Sequence, residues 1–382
     1  MIIHRLFVVI KRCFFVKGYI MTDLEKARQT IDEADREIAK LFEKRMDAVK
    51  IVAEYKGKNG LPIFDEEREK KVISKNVSRL ENDSIKGYYD TLLRAFMSVS
   101  KQYQENLLKG LKIAFCGTEG AFAEIASKKI FPYGRVVAFG DFSGAYNAVL
   151  DGNCDCCVLP IENSYAGEVG QVIDLMFEGD LAVNGVYDMQ VKQNLIGVKG
   201  TVISDVKTVI SHPQALSQCN VYIKEHGFFS EQADNTAFAA KKVALLNDKS
   251  VAAIASKETA ELYGLEVIDH DINESAVNTT RFAVFSKSIS QSAMDNERFI
   301  LLFTVNDEVG ALAKVVNIIC AHGFNMRILR SRPVKNIPWQ YYFYVEADGD
   351  RNSEEGKRMM KELSVCCEKL KIAGHYAASK TI

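Results

Sequence analysis

Asn278-Thr279-Thr280-Arg281-Phe282 runs straight into Phe282-Ala283-Val284-Phe285, an apolar run of strand length, so a hydroxyl and a guanidinium stand together at the entrance of a strand. Such a pair suits an acidic substrate with a departing hydroxyl group. Outward from it, between Leu111 and about Ser286, short apolar strands alternate with helical stretches, the pattern of an α/β domain. Three more polar patches share that region. Gly117-Thr118-Glu119-Gly120 follows the strand Leu111–Cys116 and precedes a helix, an arrangement friendly to anions. Pro160-Ile161-Glu162-Asn163-Ser164 ends a buried strand, where ligands gather in open α/β sheets. Ser211-His212-Pro213-Gln214 is answered one turn later by Gln218 and Cys219. Each patch alone is ordinary turn and cap chemistry.

Either side of this region the periodicity changes. From Leu24 to about Leu108 the chain reads as helix, beginning with the capping-box form Thr22-Asp23-Leu24-Glu25. Leu24, Ala27, Ile31, Ala34, Ile38 and Leu41 make one apolar face, whose continuation meets Arg45, Val49, Val52 and Lys56. Two cations therefore turn inward, and an anion is implied, either an internal acid such as Asp35 or Asp65 or a ligand. A later helix carries Tyr89, Leu93 and Phe96 onward to Ser100 and Gln104, two hydrogen-bonding side chains on the same stripe. From Glu297 the order is strand, helix, strand, strand, helix, strand, the ferredoxin-like split βαβ arrangement. Breaks fall near Lys109-Gly110 and within Ser288 to Asn296.

The bulk numbers exclude more than they assign. Length alone, 382 residues, calls for two or three domains. Lys+Arg 49 against Asp+Glu 50 leaves a net charge of −1, with no global attraction to nucleic acid or an acidic membrane. Any anionic ligand must then be caught by local, well-placed cations. Nine cysteines with no paired CxxC spacing, three of them in Cys154-Asp155-Cys156-Cys157, read as buried thiols of a reducing cytoplasm rather than as a metal site. Met1 to Ile20 is apolar and basic, yet holds no run of transmembrane length and no secretory cleavage pattern; Met21 is a candidate true start.

Arg28, Arg45, Lys56, Asp65, Arg68, Glu69, Ser100 and Gln104 resemble the active-site set of the all-helical chorismate mutases. The four α/β patches, above all Thr280-Arg281-Phe282 and His212-Pro213-Gln214 with Gln218-Cys219, resemble the prephenate dehydratase family. The last region, with Gly310 at a helix start and Leu329-Arg330-Ser331-Arg332-Pro333, resembles an ACT domain, the amino-acid-sensing module of biosynthetic enzymes. Together they resemble bifunctional chorismate mutase/prephenate dehydratases, which implies residues 21–109 as mutase, 110–287 as dehydratase and 297–378 as ACT domain.

That resemblance implies a multidomain fold: an all-α domain, a bilobal α/β domain of periplasmic-binding-protein-like form, and an α+β ferredoxin-like domain. It implies a cytoplasmic homodimer or higher homo-oligomer of phenylalanine biosynthesis, with chorismate and prephenate as substrates and no cofactor. Arg28 would reach into a partner subunit's site, Arg45 would hold a carboxylate, and Lys56 and Gln104 would flank the ether oxygen. Asp65, Arg68, Glu69 and Ser100 would take the remaining hydroxyl and carboxylate groups. In the dehydratase, Thr280 would protonate or hydrogen-bond the leaving hydroxyl, Arg281 would support charge, and Asn163, Ser164, Ser211, His212, Gln214 and Gln218 would orient the substrate. Gly310, Ala311, Leu312, Ser331, Arg332 and Pro333 would hold phenylalanine as effector. Departures from the family pattern stand at Thr118, Ala123, Asn235-Thr236 and Arg330, the last where the family has Glu. A non-catalytic amino-acid sensor, and a dehydratase acting on arogenate, are the competing readings.

Overall fold

The computed structural model describes residues 22–275, 277–289, 297–335, 337–378 and 380–382. The expectation about Met1 to Ile20 and Met21 lies outside them. The chain divides into two compact units, one ending at Leu108 and one starting at Lys109.

The first unit is three helices: α1 (Asp23–Lys58), α2 (Glu66–Val77) and α3 (Lys86–Lys109). Thr22 opens α1 with a reciprocal cap: its hydroxyl accepts the Glu25 N–H (3.2 Å), while the Glu25 carboxylate accepts the Thr22 N–H (2.7 Å). Asp65 caps α2 by accepting the Arg68 N–H at 2.9 Å. The buried interior is small, with Ala53 from α1, Ile73 from α2, and Leu93, Ser100 and Gln104 from α3. Among the described residues the apolar stripe of α1 lies open: Leu24, Ile31, Ile38 and Leu41 are 60%, 58%, 49% and 63% exposed.

The second unit opens as β1 (Lys112–Cys116), α4 (Phe122–Ile130), β2 (Arg135–Phe139), α5 (Phe142–Leu150), β3 (Cys156–Asn163), β4 (Gly167–Glu168) and α6 (Gly170–Glu178). Then β5 (Ala182–Gln190) crosses to a second lobe. That lobe holds β6 (Asn194–Gly197), β7 (Thr208–Ser211), α7 (Pro213–Gln218), α8 (Asn220–Glu225), β8 (Phe229–Gln232), α9 (Thr236–Leu246), β9 (Val251–Ala255), α10 (Lys257–Tyr263) and β10 (Glu266–Asp269), its strands ordered β10-β6-β9-β7-β8. The chain returns as β11 (Thr279–Ser286), which lies antiparallel between β3 and β5.

Beyond it come β12 (Glu297–Thr304), α11 (Ala311–Ala321), β13 (Asn325–Pro333), β14 (Tyr341–Asp348), α12 (Glu354–Cys366), β15 (Lys369–Ala377) and β16 (Lys380–Thr381). Their sheet order β13-β14-β12-β15 is that of the split βαβ arrangement. This region does not stand apart as a separate body. β15 and β16 both lie along β5, so eleven strands share one sheet. At that seam Gly374 faces Val183, and a Cβ on Gly374 would stand 2.8 Å from the Val183 side chain, which excludes larger residues. One core runs under both parts, from Tyr146, Ile173 and Phe285 to Ile300, Tyr342 and Tyr376. Among the described residues, no helix is long and apolar enough to cross a membrane.

Candidate active sites

In the helical unit, the 3.6-residue period decides which side chains meet. Arg45 of α1 faces Ser100 of α3: its guanidinium donates to the Ser100 hydroxyl and to the Met97 sulfur (3.6 Å), and lies 5.7 Å from the centre of the Phe96 ring. Farther along α1, Lys56 donates to the Ile63 carbonyl at 2.7 Å. Among the described residues, the hydrogen-bonding partners of both cations are neutral, so the internal acid weighed from sequence, Asp35 or Asp65, does not serve them. Burial pulls the Arg45 pKa below its ordinary value. Ser100 and Gln104 are 4% and 7% exposed; the helix is not merely emerging into solvent here. Gln104 donates to the Ser100 carbonyl (3.2 Å), and its buried Oε1 has no partner among the described residues. Glu69 pairs with Lys101 at 3.1 Å, a residue sequence reasoning passed over and which also lies over the Phe64 ring.

Two of the expected set stand elsewhere. Arg28 is exposed on α1, seventeen positions before Arg45. At 1.5 Å of rise per residue that is roughly 25 Å, beyond the reach of an arginine side chain. Arg68 is exposed, and it meets Asp65 through its backbone N–H.

Between the two lobes of the second unit lies a cleft of about 390 Å³. The first lobe gives Cys116, Gly117, Phe122, Phe142, Pro160, Asn163, Thr280 and Phe282; the second gives His212, Gln214, Gln218, Asp234, Asn235 and Thr236. The lobes are tied at one edge. Thr118 donates to Asn235 Oδ1 (3.3 Å), Thr259 to the Gly120 carbonyl (2.7 Å) and Tyr263 to the Glu119 carbonyl (2.8 Å). Two of the departures from the family pattern, Thr118 and Asn235, are thus bonded to each other.

At the cleft floor, β3 and β11 pair Asn163 with Thr280. Asn163 Oδ1 accepts the backbone N–H groups of Tyr165 (3.0 Å) and Ala166 (2.9 Å), which fixes Nδ2 as the donor toward β11. Nδ2 then donates to Thr280 Oγ1 and to Asn278 Oδ1, both at 2.9 Å. With Oγ1 already accepting, the Thr280 hydroxyl proton is left to be donated, and Thr280 lines the cleft. Asn278 is 1% exposed and passes its own amide proton to Gln218 Oε1 (3.0 Å), which also receives Gln193 at 3.4 Å. The Gln193 Oε1 is buried at the cleft wall without a partner among the described residues. Asn278 and Gln193 were missed as site residues. Asn278 stood inside the opening motif, whereas Gln193 lies between crossing strands with no local signal.

Several expectations need correction. Thr280 and Arg281 were read as one functional pair, but neighbours on a strand face opposite ways. Arg281 turns from the cleft to the other face of the sheet, where Glu346 (3.2 Å), Asp188 (3.3 Å) and Glu162 (3.6 Å) surround it. Ser211 is fully buried and donates to the Ile254 carbonyl (2.6 Å). Ser164 serves the turn, donating to the Val277 carbonyl and accepting the Thr279 N–H, each at 2.9 Å. Arg332 is likewise drawn inward, to Asp174 (3.0 Å), Tyr342 (3.1 Å) and Glu168, while its neighbours Ser331 and Pro333 are exposed on the other face of β13. Gly310 has φ +80, so glycine is required there by backbone conformation; a Cβ would meet nothing.

Among the described residues, no lysine or arginine lines the cleft, against the expectation that local cations catch any anion. Positive potential comes instead from helix ends. Ala121, Phe122 and Ala123 bring the start of α4 to the cleft, with no side-chain cap, and Asn235 and Thr236 bring that of α9. His212 accepts the Gln214 N–H at Nδ1 (3.2 Å), so its proton sits on Nε2; burial lowers its pKa, with Asp234 opposing. Cys116 is pushed up to about 11 by burial, with Asp141 adding, and remains a neutral thiol.

Comparisons with known proteins agree with this division. Residues 27–105 match the model of chorismate mutase type II, and residues 113–290 that of prephenate dehydratase. A bifunctional chorismate mutase/prephenate dehydratase of Aquifex aeolicus is 29% identical over 93% of this chain and 98% of its own length. An arogenate dehydratase/prephenate dehydratase of Arabidopsis thaliana is 30% identical over 74% of this chain and 77% of its own. Among solved structures, GqqA, described as a quorum-quenching acylase, aligns at TM-score 0.65 and 31% identity over 70% of this chain and 98% of its own. A prephenate dehydratase of Arthrobacter aurescens bound to L-Phe aligns at TM-score 0.65 and 23% identity, covering 70% and 90%.

Proposed function

This chain belongs to the bifunctional chorismate mutase/prephenate dehydratase family, and on that premise we propose which residues carry each of its two reactions. It is an enzyme of phenylalanine biosynthesis that converts chorismate to prephenate and prephenate to phenylpyruvate.

The mutase reaction is a Claisen rearrangement, with no nucleophile and no proton transfer. It needs a compact conformer and a fixed positive charge near the ether oxygen, where negative charge develops. The carrying observation is the pair of inward cations with only neutral partners. Arg45 takes a carboxylate, with Ser100 beside it, while Lys56 and the second Nε2 proton of Gln104, the one not given to the Ser100 carbonyl, meet the ether oxygen. Asp65 and Glu69 take the hydroxyl side. Arg28 sits roughly 25 Å along the same helix, so it acts in the site of a second copy. The exposed stripe of α1 supports the same homodimer, since it is the surface such a copy would cover.

In the cleft, the carrying observation is the free hydroxyl proton of Thr280, aimed by Asn163. Thr280 gives its proton to the departing ring hydroxyl, which leaves as water, and the Thr280 oxygen regains a proton from solvent; the ring carboxylate leaves as carbon dioxide, and its bonding electrons complete the aromatic ring. Aromatisation supplies the driving force, so a weak donor suffices. The starts of α4 and α9 receive the carboxylates, and Gln214, Gln218 and His212 orient the ring. Prephenate is the substrate we favour over arogenate, because the helical unit makes it. The region 297–378 is an ACT domain sensing phenylalanine through the Gly310 turn with Ala311 and Leu312; Ser331 and Pro333 lie at the same end of its sheet. A phenylalanine-bound relative of the same fold supports that reading. A cytoplasmic location fits both substrates.

Purified full-length protein given chorismate should release prephenate and then phenylpyruvate, with the second step slowed by added phenylalanine. Absence of turnover would overturn the assignment. Accumulation of prephenate alone would overturn the dehydratase half, and an unchanged rate with phenylalanine would overturn the effector reading.

A further inference from the structure

The far face of the sheet under Thr280 is gripped by the C-terminal strands. On β11 and β3, Thr280 pairs with Asn163, and the next pair along is Arg281 with Glu162. Because side chains alternate, the first pair faces the cleft and the second faces away. Both members of the second pair are held by residues of β13 and β14. Glu346 is fully buried and takes Arg281 through two hydrogen bonds (3.2 and 3.3 Å), while Arg298 binds the same carboxylate at 3.2 Å. Arg330 forms an ion pair with Glu162 and lies 3.9 Å from Glu168. The pairing of β11 with β3 also shifts register between Arg281 and Phe282, so a bulge sits one residue from Thr280. Bulges re-aim neighbouring side chains, and this one is pinned from behind.

Stability alone is a poor reason for such a cluster, because apolar residues of similar volume usually hold a buried interface as well as buried ion pairs do. What ion pairs add is a unique register. We propose that Glu346 and Arg330 are positioning residues of the dehydratase reaction, acting through Arg281 and Glu162 to fix the Asn163–Thr280 pair. Arg330 then has a task that does not depend on effector binding: it neutralises Glu162. Neither residue touches the substrate, so the clamp sets the aim of the Thr280 proton and leaves substrate affinity to the other lobe. This rests on the reading of Thr280 given above.

The test uses the full chain and prephenate, with Glu346→Gln, Arg330→Met, Arg330→Lys, Thr280→Val and Asn163→Ala. A small misplacement of a reacting group carries large rate penalties, so Glu346→Gln and Arg330→Met are expected to lower kcat by about tenfold or more while KM stays within about twofold. Arg330→Lys should restore most of the loss. Combined with Asn163→Ala, Arg330→Met should cost less than the product of the single effects, since both act on one hydroxyl. If Glu346→Gln does not fold, the half-exposed Arg330 variants decide. Unchanged kcat in folded Arg330→Met, or losses that multiply with those of Asn163→Ala, would overturn the clamp. If Thr280→Val is inactive while Arg330→Met is normal, only the clamp fails. If Thr280→Val keeps its rate, the reading of Thr280 fails instead.

Discussion

In the helical unit, Arg45 and Lys56 stand ready with positive charge. In the interlobe cleft, no lysine or arginine among the described residues lines the wall, and the starts of two helices supply the positive potential. Both sites take dicarboxylates, so the contrast follows from the chemistry. The mutase keeps every carboxylate and gains charge on an ether oxygen, so a fixed cation binds the transition state better than the ground state. The dehydratase must discharge a carboxylate as neutral carbon dioxide. A cation paired to that group would bind the substrate best and lose its grip as the bond breaks, raising the barrier. Diffuse dipoles hold the anion without that penalty.

Four measurements would break or sharpen the contrast. Thr280→Val should lower phenylpyruvate formation by roughly 10²–10⁴-fold, the range for a lost proton donor, while chorismate consumption continues. Lys56→Ala should do the converse, cutting mutase kcat by about 10²–10³-fold and sparing the dehydratase. Loss of both activities in either folded variant would undo the two-site description. Smaller in effect, Arg28→Ala and Lys56→Ala subunits, each inactive alone, should regain about a quarter of the mutase activity after mixing, because random pairing gives half heterodimers with one intact site each; no recovery would place Arg28 outside a shared site. Smaller again, near-molar salt should raise KM for chorismate several-fold more than KM for prephenate, since point charges are screened more than buried dipoles. Equal shifts would erase the electrostatic distinction.

The smallest effect concerns the seam between the cleft domain and the C-terminal strands. Burial alone would raise the Asp174 pKa, but hydrogen bonds from Arg332, Tyr342 and Lys335 more than reverse it, leaving it lowered. A carboxyl with a folded pKa below its unfolded value of about 4 adds stability that is complete above that value and fades as pH falls through the lowered one. Asp174→Asn should therefore flatten the fall in Tm of this unit below about pH 4.

Much of this was legible in the sequence because periodicity is local. The 3.6-residue repeat set Arg45, Ser100 and Gln104 on inner faces, and strand runs located β1, β3 and β11. The misreading of Arg281 had a local remedy: a period of two forbids Thr280 and Arg281 from sharing a face. Other features had none. The pairing of β15 with β5 joins residues about 190 positions apart through one glycine, Gly374 opposite Val183. Gln193 gains its place only when two crossing strands meet, and nothing near it in sequence announces that. The stripe on α1 reads as an apolar face in the sequence, but amphipathicity reports that a face is apolar, not what covers it.

The seam at β5 also sets an order of events on the ribosome. Residues 194–269 can close their own sheet early, since its strands are contiguous in the chain. β5 must wait, because β11 on one side and β15 and β16 on the other are made much later. At about 5–20 residues per second, its second edge stays open for roughly ten to forty seconds of synthesis. For that interval Ala182–Gln190 is an uncovered strand edge, the kind of surface that nascent-chain chaperones exist to shield.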